Sequence, residues 1–300
     1  MTPNPQHGTP AGDATLAIQR LARQTAGDVQ ELQTLYVLEA LLARLAESEH
    51  RDDFVLKGGV LLAAFAVRRS TKDIDLQATG IANDETDVAE RIREVVTIDL
   101  PDGVIFDPDS ITASTIRDDD EYAGIRVKLV GLLGRARLTV GIDVNFGDPI
   151  WPAPRLIELP RIVALDQPPV EILGYPLTMV LAEKIITAID RGPANTRWRD
   201  FADIYTLTRV HSVPADDLVA SLGTVAEYRR VAMRPLLPTL ERMPRVAQPK
   251  WRTWRTRVQR ESDLPLEFTD VLNTVANFSD PALTQVAKGN WDVQTATWPR

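Results

Sequence analysis

Apolar residues near the start of the chain recur at helical spacing: Leu16, Ile18 and Leu21, then Leu32, Leu35, Val37, Leu38, Leu41, Leu42 and Leu45. The pattern predicts two helices between Ala14 and about Glu49, broken near Gly27-Asp28. Phe54-Val55-Leu56 reads as a short strand, Gly58-Gly59 as a turn, and the run from Val60 to Val67 as a buried helix. A strand over Asp73–Gln77 follows, then a charged helical pattern over 84–96 and alternating strand patterns over 103–116 and 124–146, the latter a hairpin turning within Gly131–Arg135. Pro149, Pro152, Pro154 and Pro160 mark an irregular crossing segment. Beyond Pro176 the pattern is helical: Leu177–Asp190, Trp198–Val210, Ala215–Leu222, Val225–Arg242, Pro249–Glu261 and Glu267–Ala276. The fold class expected is α+β, a mixed sheet with helices at 14–172 followed by a helical domain at 173–300, after a disordered tail at 1–13 rich in Pro, Gly and Thr.

Composition narrows the chemistry. The chain has no cysteine, which excludes disulfides, thiolate metal sites and cysteine nucleophiles. The sequence shows neither a signal peptide nor a membrane-length apolar run, so a cytoplasmic protein is expected. A net charge of −8 hides an asymmetry, because residues 1–150 hold 15 Lys+Arg against 25 Asp+Glu, whereas residues 184–260 hold 15 against 7. An acidic half that holds cations and a basic half that holds a polyanion is the reading this favours; a plain solvated surface is the alternative. His7, His50 and His211 are scattered, so no histidine-based site is expected.

The chemistry-bearing residues lie at Lys57-Gly58-Gly59, Asp73-Ile74-Asp75 and Asp143. Alternation along a strand puts Asp73 and Asp75 on one face, and a third carboxylate from a neighbouring strand would complete an oxygen cage for Mg²⁺, with Mn²⁺ as the other candidate. Such a cage points to an enzyme acting on a nucleoside triphosphate. Gly58 and Gly59 can offer backbone N–H groups to phosphate at the start of the following helix.

These residues, together with Arg69-Ser70-Thr71-Lys72-Asp73-Ile74-Asp75, Leu181-Ala182-Glu183-Lys184 and Arg199-Asp200-Phe201-Ala202-Asp203-Ile204-Tyr205, resemble in content and order the AbiEii family of nucleotidyltransferase-like toxins, which includes the mycobacterial MenT toxins. The resemblance spans about residues 30–210. It implies a polymerase-β-like nucleotidyltransferase core, a helical domain, a cognate antitoxin, an NTP substrate and, as in the MenT branch, nucleotide addition to the 3′ end of tRNA that blocks translation. It also implies that activity rests on Lys57, Asp73, Lys184 and Asp203.

Roles follow from the chemistry of nucleotidyl transfer. Asp73 and Asp75 are expected to hold one metal and Asp143 to help hold a second. Lys57 and Lys184 are candidate phosphate clamps; the other reading of Lys184 is a side chain snorkelling to solvent. Asp203 is expected at the site, steering Lys184 or the acceptor, and Asp200 either there or paired with Arg197. Many family members carry a hydroxyl just after the glycine pair, where this chain has Val60, so Ser70 or Thr71 would have to supply one. Arg229 and Arg230, and Arg252 and Arg255 in the Trp-interleaved stretch 250–260, are candidate RNA contacts; Trp251 and Trp254 read equally as base-stacking rings or as a core stripe. Transfer to a small molecule or a protein hydroxyl, and a non-catalytic binding module on the same fold, are the competing functions.

Overall fold

The computed structural model describes residues 5–68, 71–116, 124–163, 165–258 and 260–299. Arg69, Ser70 and the acidic run Asp118–Glu121 therefore lie outside the described residues. The chain divides into two compact units, one of residues 1–148 and 154–175, the other of 149–153 and 176–300. The second unit thus takes in a short piece of the proline-rich crossing as well as everything after Tyr175.

The first unit holds α1 (Pro10–Thr25), α2 (Val29–Glu47), β1 (Phe54–Lys57), α3 (Gly58–Leu61), β2 (Asp73–Ala78), α4 (Glu85–Val96), β3 (Val104–Ile116), β4 (Gly124–Leu133), β5 (Ala136–Asn145), β6 (Arg155–Leu159) and β7 (Val170–Gly174). The strands form one mixed sheet in the order β3-β4-β5-β2-β1-β7-β6, with β2 parallel to β5, β1 parallel to β7 and the other neighbours antiparallel. Alternation sorts the two faces. Ile74, Leu76, Val127, Ile142 and Val144 are buried, and α2 packs on β4, β5 and β7; the residues between them carry charge. A buried ion pair ties α2 to the edge of the sheet, Arg44 donating to both Asp102 oxygens at 2.6 and 3.2 Å and to the Val104 carbonyl at 2.9 Å.

Several elements differ from the sequence expectation. The first helix starts at Pro10 rather than Ala14, because Thr9 caps it by accepting from the Gly12 N–H at 3.1 Å and proline suits its first turn. The expected tail at 1–13 therefore gives up its last four residues to α1. The buried run Val60–Val67 is one turn of α-helix and a 3-10 turn over Leu62–Phe65, stopped by Ala66 in the left-handed region at φ 56°. Strand β6 lies inside the segment read as irregular, and β7 went unpredicted. The prolines flank β6 rather than interrupt it, and only Leu159 of its five residues is buried, so no alternation marks it.

The second unit is helical: α5 (Leu177–Arg191), α6 (Trp198–Leu207), α7 (Ala215–Tyr228), α8 (Leu236–Thr239), α9 (Met243–Arg257) and α10 (Phe268–Leu283). Helix α7 runs through Gly223, and the helix expected over Val225–Arg242 ends instead near Tyr228, where Arg230 adopts φ 54° and the Val231 N–H returns to the Ala226 carbonyl at 2.9 Å. Trp251 stacks on Trp254 and meets Phe268, which also touches Trp198 and Phe201. A second cluster joins Phe278, Trp291 and Trp298. Trp151, the remaining tryptophan, is placed in this unit too. Among the described residues, no helix is long and apolar enough to cross a membrane.

Candidate active site

Strand register assembles the first cluster. Lys57 on β1 pairs with Asp75 on β2, Asp75 with Asp143 on β5, and Asp143 with Arg126 on β4. Directly paired residues share a face, so one row across four strands reads Lys57, Asp75, Asp143, Arg126, with Asp73 two residues along from Asp75 on the same face. Four charges meet in a single line, positive at its two ends and negative between them.

Two glycines make room for the acidic pair. Gly58 sits at φ 68°, and a Cβ there would lie 1.9 Å from Asp75 Oδ2; a Cβ at Gly141 would lie 2.2 Å from Asp73 Oδ1. Each carboxylate is therefore seated over a backbone that lacks a side chain. The Gly59 N–H reaches Asp75 Oδ2 at 3.4 Å. Because α3 is only four residues long, it has little dipole to offer an anion, and the glycines make room for the two carboxylates. The Thr71 hydroxyl donates to the Asp73 carbonyl at 3.2 Å, shaping the entry into β2.

Both lysines expected at phosphate are already seated. Lys57 Nζ donates to Asp148 Oδ2 at 2.8 Å and lies 5.4 Å from the centre of the Tyr175 ring. With its amide turned so that the oxygen accepts from the Gly147 and Asp148 N–H groups at 3.2 Å each, buried Gln77 donates to the same Asp148 oxygen at 3.3 Å. Asp148 and Gln77 thereby aim the lysine, and neither was singled out from sequence. In the helical unit, Lys184 Nζ donates to Asp200 Oδ1 at 2.9 Å and Asp203 Oδ2 at 2.8 Å. It points inward to two buried carboxylates rather than snorkelling to solvent. Asp200 also pairs with Arg197 at 3.0 Å.

Arg126 is the residue that sequence reading missed most consequentially. Its Nε and Nη2 donate to the two Asp143 oxygens at 2.7 and 2.6 Å. This hydrogen-bonded carboxylate raises the guanidinium pKa above its ordinary value, and the charges of Asp73 and Asp75 add to the effect. The donor set Asp73 and Asp75, two hard oxygen donors cradled over glycine, fits a divalent cation. Asp143, expected as a third ligand, has both oxygens engaged by Arg126.

Elsewhere in the first unit, Glu49, His50 and Glu94 bring three donor atoms within 4.8 Å of one another. His50 contacts Glu94 at 2.6 Å and Asp53 at 3.1 Å, with Arg91 on both His50 and Asp53, a network that ties the end of α2 to α4. Among the RNA candidates, Arg230 and Arg252 are exposed. Arg229 donates to Thr187 Oγ1 at 2.7 Å. Arg255 is buried, donating to the Leu264 carbonyl at 2.9 Å, and Trp251 and Trp254 are buried beside it, so the tryptophans form a core stripe and offer no ring to a base.

No curated protein matches the chain. Among solved structures, JHP933 from Helicobacter pylori is similar at 16% identity and a TM-score of 0.48, covering 86% of this chain and 93% of that one. MenT4, a nucleotidyltransferase toxin from Mycobacterium tuberculosis H37Rv, is similar at 18% identity and a TM-score of 0.48, covering 90% of this chain and 98% of that one. The family model of the nucleotidyl transferase AbiEii toxin of type IV toxin–antitoxin systems matches residues 40–281, a span that takes in the charged row, the two glycine cradles and the Lys184 pocket, and the chain belongs to that family.

Proposed function

We propose that this toxin nucleotidyltransferase moves a nucleoside monophosphate from an NTP to an RNA hydroxyl, with the tRNA 3′ end as acceptor, and that this transfer blocks translation until a cognate antitoxin neutralises it. The observation that carries the reading is the row Lys57, Asp75, Asp143, Arg126 with Asp73 beside it, which sets carboxylates for a cation and cations for a triphosphate on one sheet face. Asp73 and Asp75 would hold a divalent ion, Mg²⁺ or Mn²⁺. Such an ion, when bound, would offset the triphosphate charge and make the phosphorus more electrophilic.

The chain's own residues do the rest. Lys57, aimed by Asp148 and Gln77, holds the triphosphate through its charge, and Gly58, Gly59 and Thr71 border the turn where that triphosphate lies. The acceptor hydroxyl attacks the α-phosphorus in line, the bond to the bridging oxygen breaks, and pyrophosphate leaves, so positioning and charge neutralisation supply most of the catalysis. Lys184 and Asp203 are assigned to activity on the family match, with Asp203 holding the lysine in place. Arg230 and Arg252 are the exposed candidates for RNA phosphates, with Arg229 next to them in sequence.

The test incubates wild type and Asp73→Ala with each α-labelled NTP, Mg²⁺ and total tRNA. Label on RNA with wild type alone is expected. Label on a protein or on no RNA species at all overturns the acceptor, and equal labelling by both proteins overturns the site.

A further inference from the structure

We propose that Arg126 supplies the second positive charge of this site, standing where two-metal chemistry would place a second ion, so that the chain takes up one divalent cation with its nucleotide rather than two. The inference rests on the nucleotidyltransferase reading above and specifies how that site is charged.

Three carboxylates on adjoining strands would ordinarily suit two divalent ions bridging a triphosphate. Here the third is committed. Both oxygens of Asp143 accept from one guanidinium at 2.7 and 2.6 Å, a fork-to-fork pair, so a metal ion on Asp143 would have to share the carboxylate with a fixed positive charge. Strand register fixes the arrangement, because Asp143 pairs with Arg126 on one side and with Asp75 on the other. Neighbouring strands lie about 4.8 Å apart, so the guanidinium stands two strands from Asp75 on the same face. The pair is partly shielded, with Asp143 at 18% and Arg126 at 41% side-chain exposure. The open side of Arg126 lets its remaining N–H groups meet an anion while Asp143 holds it. A planar guanidinium is permanently charged and matches phosphate oxygens two at a time, which an exchangeable second ion does only while bound.

Asp73, Asp75 and Asp143 bring three negative charges; Arg126 cancels one and a single divalent ion cancels the other two. Lys57 and Asp148 cancel each other. The triphosphate's own negative charge then meets Lys57 and Arg126 at the two ends of the row.

Equilibrium dialysis counts the ions directly. The probe is Mn²⁺ with a labelled NTP analogue whose α–β bridging oxygen is replaced by methylene, so that no transfer occurs, and the readout is Mn²⁺ retained per nucleotide retained. Wild type is expected to retain one. Arg126→Ala, at a half-exposed position and with a melting curve as the control for folding, frees Asp143 and is expected to retain two, and Arg126→Ala with Asp143→Asn is expected to return to one. Two ions in wild type overturn the proposal while leaving the nucleotidyltransferase reading intact, as does one ion in Arg126→Ala. No Mn²⁺ and no nucleotide in wild type overturns both.

Discussion

A methyl group at position 58 would have to occupy space held by the Asp75 carboxylate, on a backbone at φ 68° that side chains rarely adopt. Gly58→Ala is therefore expected to cost about 1–3 kcal/mol in urea unfolding from strain alone and to weaken nucleotide binding by displacing Asp75. Asp73→Ala has the opposite profile. Its side chain lies over Gly141 on a half-buried strand position, so the fold should keep its unfolding midpoint while labelled-nucleotide transfer disappears. Lys184 demands separate care. Removing it takes away the cation shared by Asp200 and Asp203, which are 6% and 1% exposed, and Lys184→Ala is expected to lose about 3–5 kcal/mol by chemical denaturation. A fall in activity in that variant counts toward catalysis only in protein shown by circular dichroism to be folded.

Register decides what could be read at the level of elements. The sequence pattern marked 124–146 as a hairpin and Asp143 as a site residue, but left its turn anywhere within five residues. In the structure the turn is Gly134-Arg135, with Gly134 at φ 57° and Leu133 opposite Ala136. Counting back along both strands from that pair brings Arg126 opposite Asp143. The information was present in the sequence, but a one-residue uncertainty in register turns Arg126 to the other face. Asp148 and Gln77 were harder to find, since their role depends on a loop returning to β1 that no periodicity records. The helices show the same division: the apolar stripe of α10 announced itself, whereas the stripe of Trp251 and Trp254 was indistinguishable from a nucleic-acid patch until burial was known. Position within α9 now separates its arginines. Arg252→Glu is expected to weaken tRNA binding and to lower the slope of log affinity against log salt by about one unit. Arg255→Glu replaces the buried donor to the Leu264 carbonyl with a carboxylate and should lower the melting temperature instead, and equal effects of the two on salt dependence would refute this division.

Charge and aromatic content are both unevenly shared over the molecule as a whole. Residues 1–150 carry an excess of ten acidic groups and residues 184–260 an excess of eight basic ones, so raising ionic strength should weaken tRNA binding steeply and the binding of a nucleotide–metal complex far less. A titration in which both fall in parallel would show that the basic stretch is only a solvated surface. All six tryptophans belong to the helical unit. The sheet unit in consequence carries no probe of its own in an experiment excited at the red edge of protein absorption: tryptophan emission followed through a denaturant series reads side chains of the helical unit, and none on the strands that carry Asp73 and Asp75. A single Phe106→Trp replacement would put a reporter in the sheet, read as the difference between the variant's emission and that of the parent chain.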